Sequence, residues 1–123
     1  MKRGATAWLD AFDSALLRFF ELEPDVLILL DENGFIRRVN AAVLQYLDYA
    51  PGALDGVPLI TLLAQGDLTR LGKAAHLASL GLPTEPLHLL RRGGSTIAVR
   101  LIRFQFLPQR RQTFLIFRPV EAP

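Results

Sequence analysis

The segment from Asp25 to Asn40 constrains the fold of this chain more than any other part of its sequence. It reads DVLILLDENGFIRRVN, in which four turn-forming residues separate two short runs of strand-forming residues. Asn33-Gly34 is the strongest two-residue hairpin signal, because both central residues of a type I′ turn need positive φ. Asn40 follows, and its side-chain oxygen can cap the first free amides of a helix. The segment therefore predicts an antiparallel hairpin that leads into an Asn-capped helix ending near Asp48.

The composition indicates one globular domain without thiol chemistry. The chain has 123 residues, of which 50% are hydrophobic and 21% are charged, enough for a single folded core. It contains no cysteine, which excludes disulfides, thiolate nucleophiles and thiolate metal sites. No apolar run approaches the roughly 20 residues that span a membrane. Asp10 and Asp13 interrupt what would be the apolar region of a signal peptide, so we expect a cytoplasmic protein with no membrane partner.

The charge is distributed unevenly along the chain. Seven arginines and no acidic residue lie between Pro86 and Val120, and a basic half can indicate nucleic-acid binding. Four of these arginines form two pairs, each beside a predicted turn, and they lack the interleaved aromatic residues of a single-strand binder. We therefore interpret them as solvated hairpin tips and expect no nucleic-acid partner.

Residues Ala5 to Leu22 are predicted to form an amphipathic helix. Large apolar side chains recur along one face of it, and Pro24 ends the helix because it disfavours helical backbone at Glu23. This apolar stripe exposes more surface than a monomer usually leaves open, so we expect it to pack on a sheet and on a second copy in a homodimer. The predicted interface residues are Trp8, Phe12, Leu16, Phe19 and Phe20.

The rest of the chain is predicted to contain short helices followed by strands. A short helix is expected over Pro58 to Ala64, and a longer one begins with Asp67 as its cap and ends before Gly81. Three strands follow, over Leu87–Arg92, Thr96–Leu107 and Gln112–Arg118. In the long strand the alternation switches from Ile97, Val99 and Leu101 to Ile102, Phe104 and Phe106. The switch indicates either a β-bulge or a strand whose two faces are covered at different ends.

Two strands, over residues 26–30 and 114–117, are apolar on both faces. An antiparallel strand with one wet face should alternate, so both are predicted to lie in the centre of the sheet. Helices would cover one face of that sheet, and the N-terminal stripe is the expected cover of the other face.

From Pro24 to Pro119 the chain resembles a PAS domain. The family pattern of an apolar strand, a D-x-x-G turn and a V-N-x-A helix start is matched by Asp31, Gly34, Val39, Asn40 and Ala42. The family's Arg-x-(Asp/Gly)-Gly turn is matched by residues 91–94, whereas Asp48 stands where the pattern has Gly. The resemblance implies an α+β fold with a five-stranded antiparallel sheet in the order 2-1-5-4-3 and helices on one face. We divide the chain into an N-terminal amphipathic helix, residues 1–23, and a PAS-like domain, residues 24–123.

The resemblance also implies a function. A PAS-like domain would be a sensory or dimerisation module of a signal-transduction protein, with an output domain on a longer chain. A small apolar ligand could lie between the sheet and the helices, although the same residue types also suit a filled core. The predicted lining consists of Leu44, Leu63, Leu71, Ala75, Val99 and Leu101.

The cofactor chemistry of PAS domains can be compared with this chain residue by residue. The family's flavin photosensors and its yellow-protein class both use a cysteine, which the chain lacks. Haem-binding members use a histidine on the long helix before the third strand, and His76 lies on the helix predicted there. On a helical wheel His76 lies about 120° from the centre of the predicted core face. We therefore expect no cofactor, and a haem-binding gas or redox sensor that uses His76 is the alternative.

A catalytic role finds less support in the residues. The two histidines, His76 and His88, have no carboxylate or cysteine at metal-ligand spacing. No serine lies in a nucleophile-elbow motif, and Gly93-Gly94 precedes a strand where a phosphate loop would precede a helix. Our interpretation is therefore that the chain is not an enzyme. A small α+β enzyme is a further alternative.

Overall fold

The computed structural model describes residue 15, residues 18–64, residue 67 and residues 86–120. Residues 18–22 are helical and are called here the N-terminal helical segment. The remaining elements are β1 (Val26–Leu30), β2 (Ile36–Val39), α1 (Ala41–Leu47), a 3-10 helix (Leu59–Leu62), β3 (Leu87–Leu90), β4 (Thr96–Leu107) and β5 (Gln112–Pro119). The described strands form one sheet in the order β2-β1-β5-β4-β3, and every neighbouring pair is antiparallel. The predicted fold and strand order are confirmed.

The two strands that are apolar on both faces lie in the middle of the sheet, as predicted. Strands β1 and β5 pair from Val26 opposite Phe117 to Leu30 opposite Thr113. All five residues of β1 are buried, as are residues 114–117 of β5. A central strand is covered on both faces, so it keeps an apolar run instead of an alternating pattern.

The hairpin between β1 and β2 is confirmed, but the predicted type I′ turn is wrong. Gly34 has a φ of 85°, while Asn33 is not among the described residues with positive φ. The Gly34 amide donates to the Asp31 carbonyl (3.1 Å), and the Asp31 amide donates to the Phe35 carbonyl (2.9 Å). The loop therefore has three residues, a type I turn followed by a left-handed glycine. The Asp31 carboxylate stabilises this longer loop by accepting from the amides of Asn33 (2.9 Å) and Phe35 (3.0 Å).

The change of alternation in β4 is a β-bulge, the first of the two predicted possibilities. Leu101 lies opposite Phe117 and Arg103 lies opposite Ile116, so Ile102 has no partner in the ladder. An extra residue in one strand moves the following side chains to the opposite face. Before the bulge Val99 and Leu101 belong to the core beneath the helices, and after it Phe104 packs against this same core, so the inward positions change from odd to even residue numbers.

Each face of the sheet has its own apolar core. The inner core lies between the sheet, α1 and the 3-10 helix, and it includes the fully buried Phe117, Leu115 and Val99. The outer core lies beneath the N-terminal helical segment and consists of Phe20, Leu27, Leu29, Phe114 and Ile116. In the part of the chain that the structure describes, no helix is long and apolar enough to cross a membrane.

Candidate functional site

Three of the predicted ligand-lining residues meet in the inner core. Leu63, Val99 and Leu101 are all buried there, and a bridge between Leu63 and Leu89 holds the end of the 3-10 helix beside β3. Leu44 is half-buried on α1, because the face of this helix that points inward carries Ala42, Val43 and Leu47. The other two predicted residues, Leu71 and Ala75, lie outside the described residues, as does His76.

The open edge of β3 is covered by a buried carboxylate that the sequence had suggested only as a helix cap. Asp67 accepts a hydrogen bond from the His88 backbone amide (2.6 Å) through Oδ2, which also lies 3.1 Å from His88 Nδ1. The Ala64 amide donates to the His88 carbonyl (3.0 Å), so both backbone groups of this edge residue are paired. The described residues contain no group of three potential metal ligands.

The side chain of Asn40 links the residues that precede β1 to the start of α1. Its Oδ1 accepts from the amides of Leu27 (3.0 Å) and Val43 (3.3 Å). Its Nδ2 donates to the carbonyls of Glu23 (3.1 Å) and Asp25 (2.8 Å). Every hydrogen-bonding position of this buried amide is therefore used. The predicted cap is confirmed, and the same side chain also holds the linker that precedes β1.

An ion pair joins that linker to the far end of the chain. Arg118 on β5 donates to Asp25 Oδ2 through Nε (3.2 Å) and Nη2 (3.0 Å). The hydrogen bond to Asp25 and the attraction of its negative charge raise the pKa of Arg118. Because the pKa of Arg118 is higher in the folded state than in the unfolded chain, its protonated form stabilises the fold at every pH below the ordinary arginine pKa. Arg118 therefore keeps its positive charge throughout the pH range of solution experiments.

The two predicted interface residues that the structure describes lie at the outer core, Phe20 within it and Phe19 packed against it. The rings of Phe19 and Phe114 meet edge to face, with centroids 6.0 Å apart and an interplanar angle of 62°, a favourable aromatic geometry. Phe20 is only 2% exposed within a single chain. Trp8, Phe12 and Leu16 lie outside the described residues, so an interface through them stays a prediction.

A cleft of about 300 Å³ opens where the N-terminal helical segment meets β2 and α1, and it shares Phe20 with the predicted dimer interface. It is lined by Phe20, Glu21, Arg38, Val39, Asn40 and Ala41. Asn40 has no hydrogen-bonding position left for a ligand, and the side chains of Glu21 and Arg38 are exposed to solvent. The cleft therefore offers a ligand little buried polar chemistry.

The pairs Asp25–Arg118 and Asp67–His88 were not predicted from the sequence. Their members are separated by 93 and 21 residues respectively, and no local motif marks either pair. Such contacts depend on which strands become neighbours, a property that the sequence pattern expresses only through the whole fold.

Comparisons with solved structures identify the fold. The PAS domain of an HTR-like protein from Haloarcula marismortui is 22% identical with a TM-score of 0.62, covering 90% of this chain and 99% of that chain. A domain of a sensory box sensor histidine kinase/response regulator from Geobacter sulfurreducens is 23% identical with a TM-score of 0.67, covering 92% of this chain and 98% of that chain. A chain of the DhaR(N)-DhaL complex from E. coli is 20% identical with a TM-score of 0.67, covering 97% of this chain and 40% of that chain.

Similarity at this level of identity shows that the described chain has the PAS fold, in agreement with the motif resemblance. No protein-family model matches the sequence, and no curated protein shows significant similarity to it.

Proposed function

We propose that this chain is a sensory and dimerisation module of a signal-transduction protein. The observation that carries the proposal is the PAS fold itself, which extends over nine-tenths of the chain in the comparison with the PAS domain of an HTR-like protein. A similar domain occurs in a protein described as a sensor histidine kinase/response regulator, where it accompanies other domains. The module passes a signal to an output domain on a longer chain and catalyses no reaction itself.

The proposed ligand is a small apolar molecule held between the sheet and the helices. Leu63, Val99 and Leu101 supply apolar walls in the described part of this region, and the half-buried Leu44 stands on the neighbouring helix. Leu71 and Ala75 complete the proposed lining from outside the described residues. Apolar walls with few polar groups select for shape and hydrophobicity, so the ligand carries no charge.

The proposed dimer forms through the apolar stripe of the N-terminal segment. Phe20 is already seated on the sheet of its own chain, which anchors the C-terminal end of the segment. Trp8, Phe12 and Leu16 are then the residues that contact a second copy. A twofold arrangement would cover the stripe of each chain with the same surface of the other.

Mass spectrometry of the purified protein under native conditions tests both parts of the proposal. We expect the mass of two chains, together with a small molecule that is released on denaturation. Leu101→Phe should reduce the bound fraction, because the larger side chain fills the proposed space, whereas Ile60→Phe at a site 56% exposed should not.

Each part of the proposal can be contradicted separately. A protein that carries no small molecule after expression and after incubation with apolar compounds argues for a filled core. A Soret absorption band that His76→Ala abolishes would instead support the haem-binding alternative. A single-chain mass at tens of micromolar, with or without ligand, argues against the dimer.

A further inference from the structure

We propose that Asp25 and Arg118 form a clasp that couples the point where the chain enters the sheet to the point where it leaves. Through this clasp the N-terminal helical segment and Val120, where the chain leaves the sheet, keep a constant relative position. A displacement of β1 or β5 therefore moves both together. The inference goes beyond the proposed function, because it requires neither a bound ligand nor a dimer.

Strand pairing places the two residues side by side. Val26 opposite Phe117 is the first pair of the β1–β5 ladder, so the residue before β1 meets the residue that follows Phe117. Two of the three guanidinium nitrogens of Arg118, Nε and Nη2, donate to the same oxygen of Asp25, at 3.2 and 3.0 Å. A planar guanidinium that donates twice defines a direction as well as a distance. The ion pair therefore restrains the orientation of the linker relative to β5.

The Asp25 side of the clasp is held in position before Arg118 contacts it. Asn40 restrains the linker, because its side-chain Nδ2 donates to the carbonyls of both Glu23 and Asp25. The Asp25 amide also donates to Glu23 Oε1 (3.3 Å). The carboxylate of Asp25 is 13% exposed, whereas the side chain of Arg118 is 63% exposed. The arginine is thus the more exposed partner, and it reaches a carboxylate whose backbone is already anchored.

The surroundings of Arg118 indicate a geometric role more than a stabilising one. Arg100 lies directly opposite Arg118 across the β4–β5 ladder, and like charges in facing positions are unfavourable. An ion pair with so exposed a partner contributes little to global stability. Removing the charge of Arg118 should therefore leave the sheet folded while releasing the linker, which distinguishes a clasp from an ordinary stabilising contact.

The chain is well suited to a direct distance measurement because it contains no cysteine. Leu22 and Val120, which are 79% and 36% exposed, can be replaced by cysteine and coupled to nitroxide labels. Double electron–electron resonance then reports the distance between entry and exit. Mixing the labelled chain with a large excess of unlabelled protein removes distances between copies, so the result does not depend on the dimer.

We expect a narrow distance distribution when the clasp is intact and a distribution at least twice as wide in Arg118→Gln. Arg118→Lys keeps the charge but not the double donation, and should give an intermediate width. Arg100→Gln is the matched control, an arginine of the same face one strand away; because it removes only the like charge that faces Arg118, it should not widen the distribution. Circular dichroism and the urea midpoint should be nearly the same for all four proteins.

The proposal is overturned if Arg118→Gln and Arg100→Gln give the same width. Asp25→Asn is the second variant, because it keeps the side-chain shape and leaves the backbone contacts of Asn40 in place. It should widen the distribution as Arg118→Gln does. If both variants instead lose their circular dichroism signal, the pair is a stability element and the clasp is rejected.

Discussion

At the scale of single residues, Asp48 stands where the PAS pattern has glycine, and its backbone conformation costs free energy. It ends α1 with φ 66° and ψ 29°, and its amide donates to the Leu44 carbonyl. This left-handed conformation is the reason why glycine is common at the position. Other L-residues adopt it at a cost of about 1 kcal/mol, which aspartate partly tolerates.

We therefore predict that Asp48→Gly raises the free energy of unfolding by about 0.5 kcal/mol, since the relief of strain exceeds the entropy that glycine loses on folding. Asp48→Ala, which keeps a Cβ without the polar side chain, should lower it. Urea unfolding of the three proteins measures both changes. A less stable glycine variant would show that the Asp48 side chain makes a favourable contribution that outweighs its backbone strain.

At the scale of elements, the described part of the N-terminal helical segment is held on the sheet by Phe20 and by the contact of Phe19 with Phe114. Phe20 is 2% exposed in the outer core, whereas Leu22, two residues later, is 79% exposed. Truncating a buried phenylalanine typically costs about 3 kcal/mol, and truncating an exposed side chain about 0.5 kcal/mol or less.

We predict that Phe20→Ala lowers the free energy of unfolding by about 3 kcal/mol and accelerates amide hydrogen exchange in residues 18–22. Leu22→Ala is the matched control in the same segment and should change neither quantity measurably. Equal effects of the two substitutions would mean that the segment does not depend on the outer core for its position.

At the scale of the whole molecule, the prediction concerns the oligomeric state. Phe12→Ala combined with Leu16→Ala removes apolar surface from the proposed interface, so we expect sedimentation to show a shift from dimer to monomer. Phe106→Ala removes an aromatic ring at a site 52% exposed on β4 and should leave the dimer intact. A wild-type protein that sediments as a monomer at tens of micromolar would refute the interface, and the segment would then be a lid on its own sheet.

The sequence by itself determined those features that depend on neighbouring residues. Period-2 and unbroken apolar runs located the strands, Asn40 located the helix start, and Leu101 followed by Ile102 located the bulge, because each signal lies within about ten residues. The two-sided apolarity of β1 and β5 even placed them in the centre of the sheet, since only a doubly covered strand can keep such a run.

Tertiary structure decided everything that requires distant residues to meet. The length of the first loop was missed for a different, local reason: the Asp31 carboxylate accepts from the backbone amides of Asn33 and Phe35, a competition that the Asn33-Gly34 signal does not express. Asp25 meets Arg118 because the β1–β5 register brings residues 93 positions apart into contact. Phe20 is buried because the outer face of the sheet that it covers exists only once β1 and β5 have paired. A local pattern records the preference of a residue for a surface, but only the assembled sheet creates that surface.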